Sequence, residues 1–309
     1  MSGNAVSVIV SVYGPDWAQR LKLCLAAMAR AAGPVEVIVS EQYTSMPRYA
    51  RVANVAGRGY VAERRKGAFW NAGRCRNRGA SVATGSILFF LDADLVMLNR
   101  EVFTATEELF TGPQAKFMAA PRVHRILQNA LGGLESVVRE RSVRAAMRAK
   151  LSYLGNTFWG LPGTDYPVIR ICHDGNIYYA NKRQAALFGK RREHYHGREV
   201  EVWKPERHCG TIAMPAGLFH DVGGYSEAFR QWGCEDTDLA QKAGSIAVAV
   251  ATTRLDWKFA HLEHGHGYID VRQALRNQRL LALRRYGLRA AVQEDQRSFQ
   301  RRYNAPHGG

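Results

Sequence analysis

The chain has 309 residues, 46% of them hydrophobic, and its 43 Lys+Arg against 27 Asp+Glu leave a formal charge of +16. That length and apolar content argue against disorder and supply core for one large domain or two small ones. The charge selects anionic partners without choosing among nucleotides, nucleic acid and an anionic lipid surface.

Five scattered cysteines, odd in number and without a CxxC pair, exclude a disulfide framework and a thiolate zinc site, and they fit a reducing compartment. No apolar run reaches the roughly 18 residues that span a bilayer. The first residues pass into VSVIVSV without a basic leader or signal-type apolar segment. The expected location is cytoplasmic, soluble or peripheral on the inner face of the membrane.

The first hundred residues alternate β-rich runs with helical stretches, the pattern of a parallel sheet built from βαβ units. VSVIVSVYG (6–14) reads as the first strand and ends at the Gly14-Pro15 turn. A helix over 16–33 follows, with Leu21, Leu25 and Met28 on one face and Gly33 as its stop signal, and then a strand over 34–42. Residues 65–85 read as a helix with a Gly-rich entry, and SILFFLDADLVM (86–97) as one buried strand. The spacing predicts a basic helix over 135–150, no firm element over 151–209, a helix in AGLFHDVGG, a strand over 245–253 and basic amphipathic helices over 271–303.

Four constellations carry chemistry. Asp92 and Asp94 stand at the end of an otherwise apolar strand, where unpaired buried carboxylates would cost several kcal/mol. In open α/β sheets that strand end faces the ligand crevice. Two hard oxygen ligands there suit Mg²⁺ or Mn²⁺, while a turn rich in Asp is the plain alternative. WGCEDTDL (232–239) places Glu235, Asp236 and Asp238 before a helical run, either as first-turn acids or as a reactive acid group. HLEHGHGY offers His261, His264 and His266, a metal site or a solvated loop. Arg64, Arg65, Lys66, Arg74, Arg76 and Arg78 cluster ahead of the Asp92 strand with Asn77 among them, a diphosphate loop or a solvated face. The basic stripe lacks a nucleic-acid motif or interleaved aromatics, so nucleic acid is not an expected partner.

Taken together, VSVIVSVYG, RNRGASVATGSILFFLDAD, GGYSEAFRQWGCEDTDL and HLEH occur in the order found in GT-A glycosyltransferases. The chain resembles family 2 enzymes whose C-terminal half looks like that of β-1,4-galactosyltransferases and chondroitin-polymerase-type transferases. The resemblance covers most of residues 5–270. It implies a GT-A α/β fold, a Rossmann-like nucleotide-binding half (1–98) joined to an acceptor-binding half (99–270), with a basic helical C-terminal extension (271–309).

It also implies roles. Asp94 would bind a Mn²⁺ or Mg²⁺ ion that bridges the donor diphosphate, Asp92 would contact ribose or the metal's water, and Arg76 and Asn77 would lie on the donor side. Asp236 would be the general base and Glu235 would hold a sugar hydroxyl. His264 is the first choice for the later metal ligand, ahead of His261 and His266. The donor would be a nucleotide sugar, a UDP-sugar first, and the acceptor a carbohydrate or lipid-linked glycan, with an anionic membrane surface as a candidate partner. Where many family members have an Asp pair after the second strand, this chain has Ser40-Glu41-Gln42, making Glu41 or Gln42 the candidate for the base; Cys234 stands where Gly is frequent.

Two other classes fit parts of the sequence. A sugar-phosphate nucleotidyltransferase would share the strand-end carboxylates but needs a Gly-rich phosphate loop that VSVYGPDW does not supply. A noncatalytic, membrane-associated carbohydrate-binding module would use only the basic surface.

Overall fold

The computed structural model describes residues 5–14, 17–29, 31–55, 58–64, 69–121, 123–126, 168–171, 177–180, 191–195, 198–202, 208–231, 233–256, 258–262 and 270–304. Its first half is a run of βα units: β1 (Val6–Tyr13), α1 (Ala18–Met28), β2 (Val35–Tyr43), α2 (Ala50–Val55), β3 (Gly59–Arg64), α3 (Ala72–Ala80) and β4 (Ile87–Asp92). Next come β5 (Leu95–Met97), α4 (Val102–Leu109), β6 (Lys116–Ala119) and β7 (His124–Ile126). Two separate antiparallel hairpins pair β8 (Val168–Ile171) with β9 (Ile177–Ala180) and β10 (Arg191–Tyr195) with β11 (Arg198–Val202). The last part holds β12 (Ile212–Pro215), α5 (Ala216–Asp221), α6 (Glu235–Gly244), β13 (Val248–Ala249), β14 (Phe259–Leu262), α7 (Val271–Tyr286) and α8 (Leu288–Phe299).

The main sheet has seven strands in the order β13-β6-β12-β4-β1-β2-β3. β1 through β4 are mutually parallel, as the βαβ pattern requires, and β12 enters antiparallel between β4 and β6. The two-residue period of a strand splits the core. Val6, Val8, Val10 and Val12 of β1 with Ile87, Phe89 and Leu91 of β4 face α1, α2 and α4. Ile9, Leu88 and Phe90 face the opposite layer, where Phe219, Tyr225, Leu239 and Phe299 pack. Asp92 continues the second register, so its side chain belongs to the layer of α3 and α6. α3 lies close on β1 because Gly79 carries no side chain: a Cβ there would collide with Ile9.

Several elements differ from the reading of the sequence. The helix expected over 16–33 spans Ala18–Met28, and the one expected over 65–85 is confined to Ala72–Ala80. The apolar run 86–97 is two strands: the chain leaves the main sheet at Asp92, turns through Ala93-Asp94, and re-enters as β5 in a small sheet ordered β5-β14-β7. Hydrophobicity alone does not mark this change, since β5 is as buried as β4. Only Val248–Ala249 of 245–253 is strand, and it is exposed at the sheet edge. The helix expected over 135–150 lies outside the described residues. α8 is not a detached tail, for Phe299 reaches the core layer beside Phe219.

Candidate active site

The switch between sheets places Asp94. β14 pairs antiparallel with β5, His261 opposite Leu95, and the Leu262 N–H donates to the Asp94 carbonyl at 2.8 Å. His261 is thereby set one residue from the turn, its Nε2 3.3 Å from Asp94 Oδ2, with both side chains buried. A third group arrives just ahead of β12. His208 is tied by its N–H to the Pro121 carbonyl and by Nδ1 to Thr211 Oγ1 at 3.0 Å. Its ring stands 5.1 Å from that of His261, and its Nε2 is 3.6 Å from Asp92 Oδ2. One ligand atom from each of Asp94, His208 and His261 lies within 4.8 Å of the others. Gly210 makes the approach possible: a Cβ there would run into the Asp92 carboxylate.

A carboxylate and two imidazoles, all buried, are a donor set for a divalent cation, and mixed N and O ligation suits Mn²⁺ better than Mg²⁺, which prefers oxygen. The residues therefore fit the metal that the sequence suggested: among the described residues, Asp94 and His261 are both in the set, and His208 joins them. His264 and His266 lie outside the described residues.

Arg76 organises the other carboxylates. From α3 its guanidinium donates to Asp92 at 2.7 Å and to Glu235 at 3.1 Å, stands 3.2 Å from Asp236, and lies against the Tyr225 ring at 5.1 Å. The Arg76 side chain is 2% exposed. Read from sequence as a donor-side contact, Arg76 turns inward, because Asp92 at the end of β4 and Glu235 and Asp236 of α6 compensate its buried charge. One guanidinium answers three carboxylates, so this corner keeps an excess of negative charge. Burial pushes the Asp236 carboxyl well above the usual range; Arg76 pulls it down, and Glu235 and Asp92 push it up.

Asn77 also turns inward. It is buried and clips α3 to the turn segment after α5: its amide donates to the Tyr225 carbonyl at 2.9 Å and to Glu227 at 3.2 Å, and its oxygen accepts the Tyr225 N–H. Glu41 spends its carboxylate on the Arg48 and Tyr49 N–H groups and the Tyr60 hydroxyl, at 2.6 to 3.1 Å, which shapes the loop beyond β2. Gln42 instead keeps a buried Nε2 with no hydrogen-bond partner among the described residues, as do Ser11 Oγ and Trp70 Nε1. Ser11 is in register with Asp92, Tyr13 with Gln42, and Tyr13 stacks on Trp70 at 5.9 Å. These strand-end groups form a polar and aromatic cluster that no spacing in the sequence marks.

The acids at the start of α6 are not helix caps. The N-cap residue is Cys234, at a left-handed φ of +78°, and its side chain makes no capping bond. Glu235 and Asp236 turn to Arg76, and Asp238 is bound bidentately by Arg284 at 2.7 and 3.1 Å. Arg284 and Lys242 both hold Asp295 of α8, at 2.5 and 2.6 Å, and Lys242 also donates to the Gly224 carbonyl. Two cations and two anions, all buried, thus lock α6 to α7 and α8.

Fold and site together define a mixed α/β architecture with strand-end acids facing a second acid group. Residues 197–265 match the family described as the N-terminal domain of galactosyltransferase, a stretch that includes His208, Glu235, Asp236 and His261. The matched stretch thus carries the second acid group and both imidazoles of the site. Among curated protein sequences none matches. Similar solved structures include TarS of S. aureus with UDP-GlcNAc, at 12% identity and TM-score 0.49, covering 90% of this chain and 65% of that one. The mannosyltransferase PcManGT from Pyrobaculum calidifontis with GDP-Man and Mn²⁺ shares 15% identity at TM-score 0.46, covering 85% and 58%. Glucosyl-3-phosphoglycerate synthase from Mycobacterium tuberculosis with phosphoglyceric acid shares 13% at TM-score 0.41, covering 99% and 82%. The chain spans less than two thirds of the length of the first two.

Proposed function

We propose that the protein is an inverting glycosyltransferase that moves a sugar from a nucleotide donor to a hydroxyl of a carbohydrate or lipid-linked glycan. The observation that carries this reading is the Arg76 bridge, which holds Glu235 and Asp236 beside Asp92, next to the Asp94, His208 and His261 set.

In this reading Asp94, His208 and His261 hold Mn²⁺, which when bound supplies Lewis-acid neutralisation of the leaving diphosphate. Asp92, partly exposed at the strand end, faces the ribose side. Ser11, Gln42 and the Tyr13–Trp70 stack receive the nucleoside. Asp236 takes the proton from the acceptor hydroxyl as that oxygen attacks the anomeric carbon from the face opposite the leaving group, which inverts the centre. Its raised proton affinity suits a base that must accept a proton from an alcohol near neutral pH. Glu235 holds a sugar hydroxyl with its second oxygen, which has no hydrogen-bond partner among the described residues.

The test is turnover with Mn²⁺ of a panel of UDP-, GDP- and dTDP-sugars, beginning with UDP-sugars, read as nucleoside diphosphate release and product anomer. Asp236→Asn should cut transfer by about 10² to 10⁴ while donor affinity is kept. Release of pyrophosphate from a nucleoside triphosphate and sugar phosphate, or retention at the anomeric carbon, would contradict the reading.

A further inference from the structure

α7 has two faces of opposite use. Asn277 and Arg284 point inward: the Asn277 amide donates to the carbonyls of Arg230 and Gly233 at 2.8 and 3.1 Å, and Arg284 holds Asp238. The helix therefore supports the loop that leads into Glu235 and Asp236. The outward face carries residues 272, 275, 276, 279, 283 and 286, spaced by three and four and so aligned along one stripe. Leu275, Leu283 and Tyr286 are 51%, 70% and 93% exposed there. Arg272, Arg276 and Arg279 stand exposed among them. α7 contains no acidic residue, since its sequence is VRQALRNQRLLALRRY.

An ordinary solvated helix face would be charged and mixed in sign, and this one interleaves large apolar groups with guanidiniums alone. No helix among the described residues is long and apolar enough to cross a membrane. A stripe of Leu, Leu and Tyr with Arg between them matches the acyl boundary below and the phosphate layer above of an anionic bilayer, because Arg stems lie along apolar surface while their heads stay at the headgroups. A polyanion such as RNA would use the arginines and leave the apolar trio exposed to water.

We infer that α7 docks flat on an anionic lipid surface and thereby holds Arg230 and Gly233, ahead of the acids that start α6, at the membrane, where a lipid-linked acceptor presents its sugar. The docking rests on this face alone, and the class of acceptor rests also on the function proposed above.

The experiment is flotation of the full chain with vesicles of phosphatidylcholine alone and of phosphatidylcholine mixed with phosphatidylglycerol, across a salt series. Binding is expected to the anionic vesicles only and to weaken with salt. Arg272→Gln, Arg276→Gln and Arg279→Gln should each lower partitioning about five-fold. The pair Leu283→Ser and Tyr286→Ser should lower it at unchanged charge. Equal binding to both vesicle types, anionic binding that survives these variants, or binding that RNA displaces and the Ser pair does not alter would overturn the inference. All five positions are exposed, so soluble donor turnover should be unchanged in every variant. Lost turnover in the unaltered protein contradicts the proposed function and leaves the docking result standing.

Discussion

Arg76 and Asp92 are joined by a charge-assisted hydrogen bond of 2.7 Å, and the same guanidinium lies 3.1 Å from Glu235 and 3.2 Å from Asp236. One buried cation from α3 couples the strand-end acid to the helix-start acids. In a low-dielectric site, such a cation sets both geometry and proton affinity.

Removing it has a signed effect on pH dependence. Burial already holds the Asp236 carboxyl above its usual range, and Arg76 is the group that lowers it. In Arg76→Met, Asp236 should therefore bind its proton to still higher pH, and the acid limb of kcat/KM should move upward, less so in Arg76→Lys. Stability follows the same sign. A carboxyl whose folded pKa is raised favours folding at low pH, and that contribution is lost as pH rises through the folded value. The cost of Arg76→Met, about 3 to 5 kcal/mol for uncompensated buried charge, should shrink in acid. Urea unfolding across pH measures it; an unmoved limb with a pH-independent cost would remove Arg76 from this role.

The Lys242, Asp238, Arg284 and Asp295 cluster predicts strong non-additivity. Lys242→Met leaves Asp295 with one partner fewer in a buried position and should cost about 3 kcal/mol. Adding Asp295→Leu leaves Arg284 with Asp238 as a balanced pair and should recover most of that loss. A double-mutant cycle with a coupling of about 2 kcal/mol or more is expected; simple addition would show that the helices are held by apolar packing instead.

Cys234 holds a left-handed backbone, φ +78°, just before α6. A side chain there costs about 1 to 2 kcal/mol relative to Gly. Cys234→Gly should raise Tm by a few degrees, on the order of 1 kcal/mol, without altering the pH profile. A fall in Tm would mean that the thiol packing outweighs the strain.

Much of this arrangement was legible in the sequence. The valine-rich β1 and the βαβ pattern gave the parallel part of the sheet. Asp92 and Asp94 were recognisable because carboxylates within an apolar run need a partner, and the acid group at Glu235 and Asp236 because a helix start needs fewer acids than it has. His208 was not legible. It stands alone beside Cys209 and Gly210, with no spacing to another ligand, and only the antiparallel entry of β12 next to β4 brings it to Asp92. The direction of Arg76 and Asn77 was equally hidden, since a basic cluster looks the same whether one member faces a ligand or the interior. Nothing in HLEHGHGY marks His261 as the residue that the pairing of β14 with β5 sets beside Asp94.

The most direct test of the account is a thermal-shift titration of UDP with and without Mn²⁺ on the intact protein and on His208→Ala and His261→Ala. The account predicts that UDP stabilises the intact protein only with Mn²⁺, by about 2.7 kcal/mol at a hundredfold excess over Kd, and that either substitution removes most of that Mn²⁺-dependent shift. Stabilisation by UDP in the presence of EDTA, or a Mn²⁺-dependent shift that survives both substitutions, would contradict it.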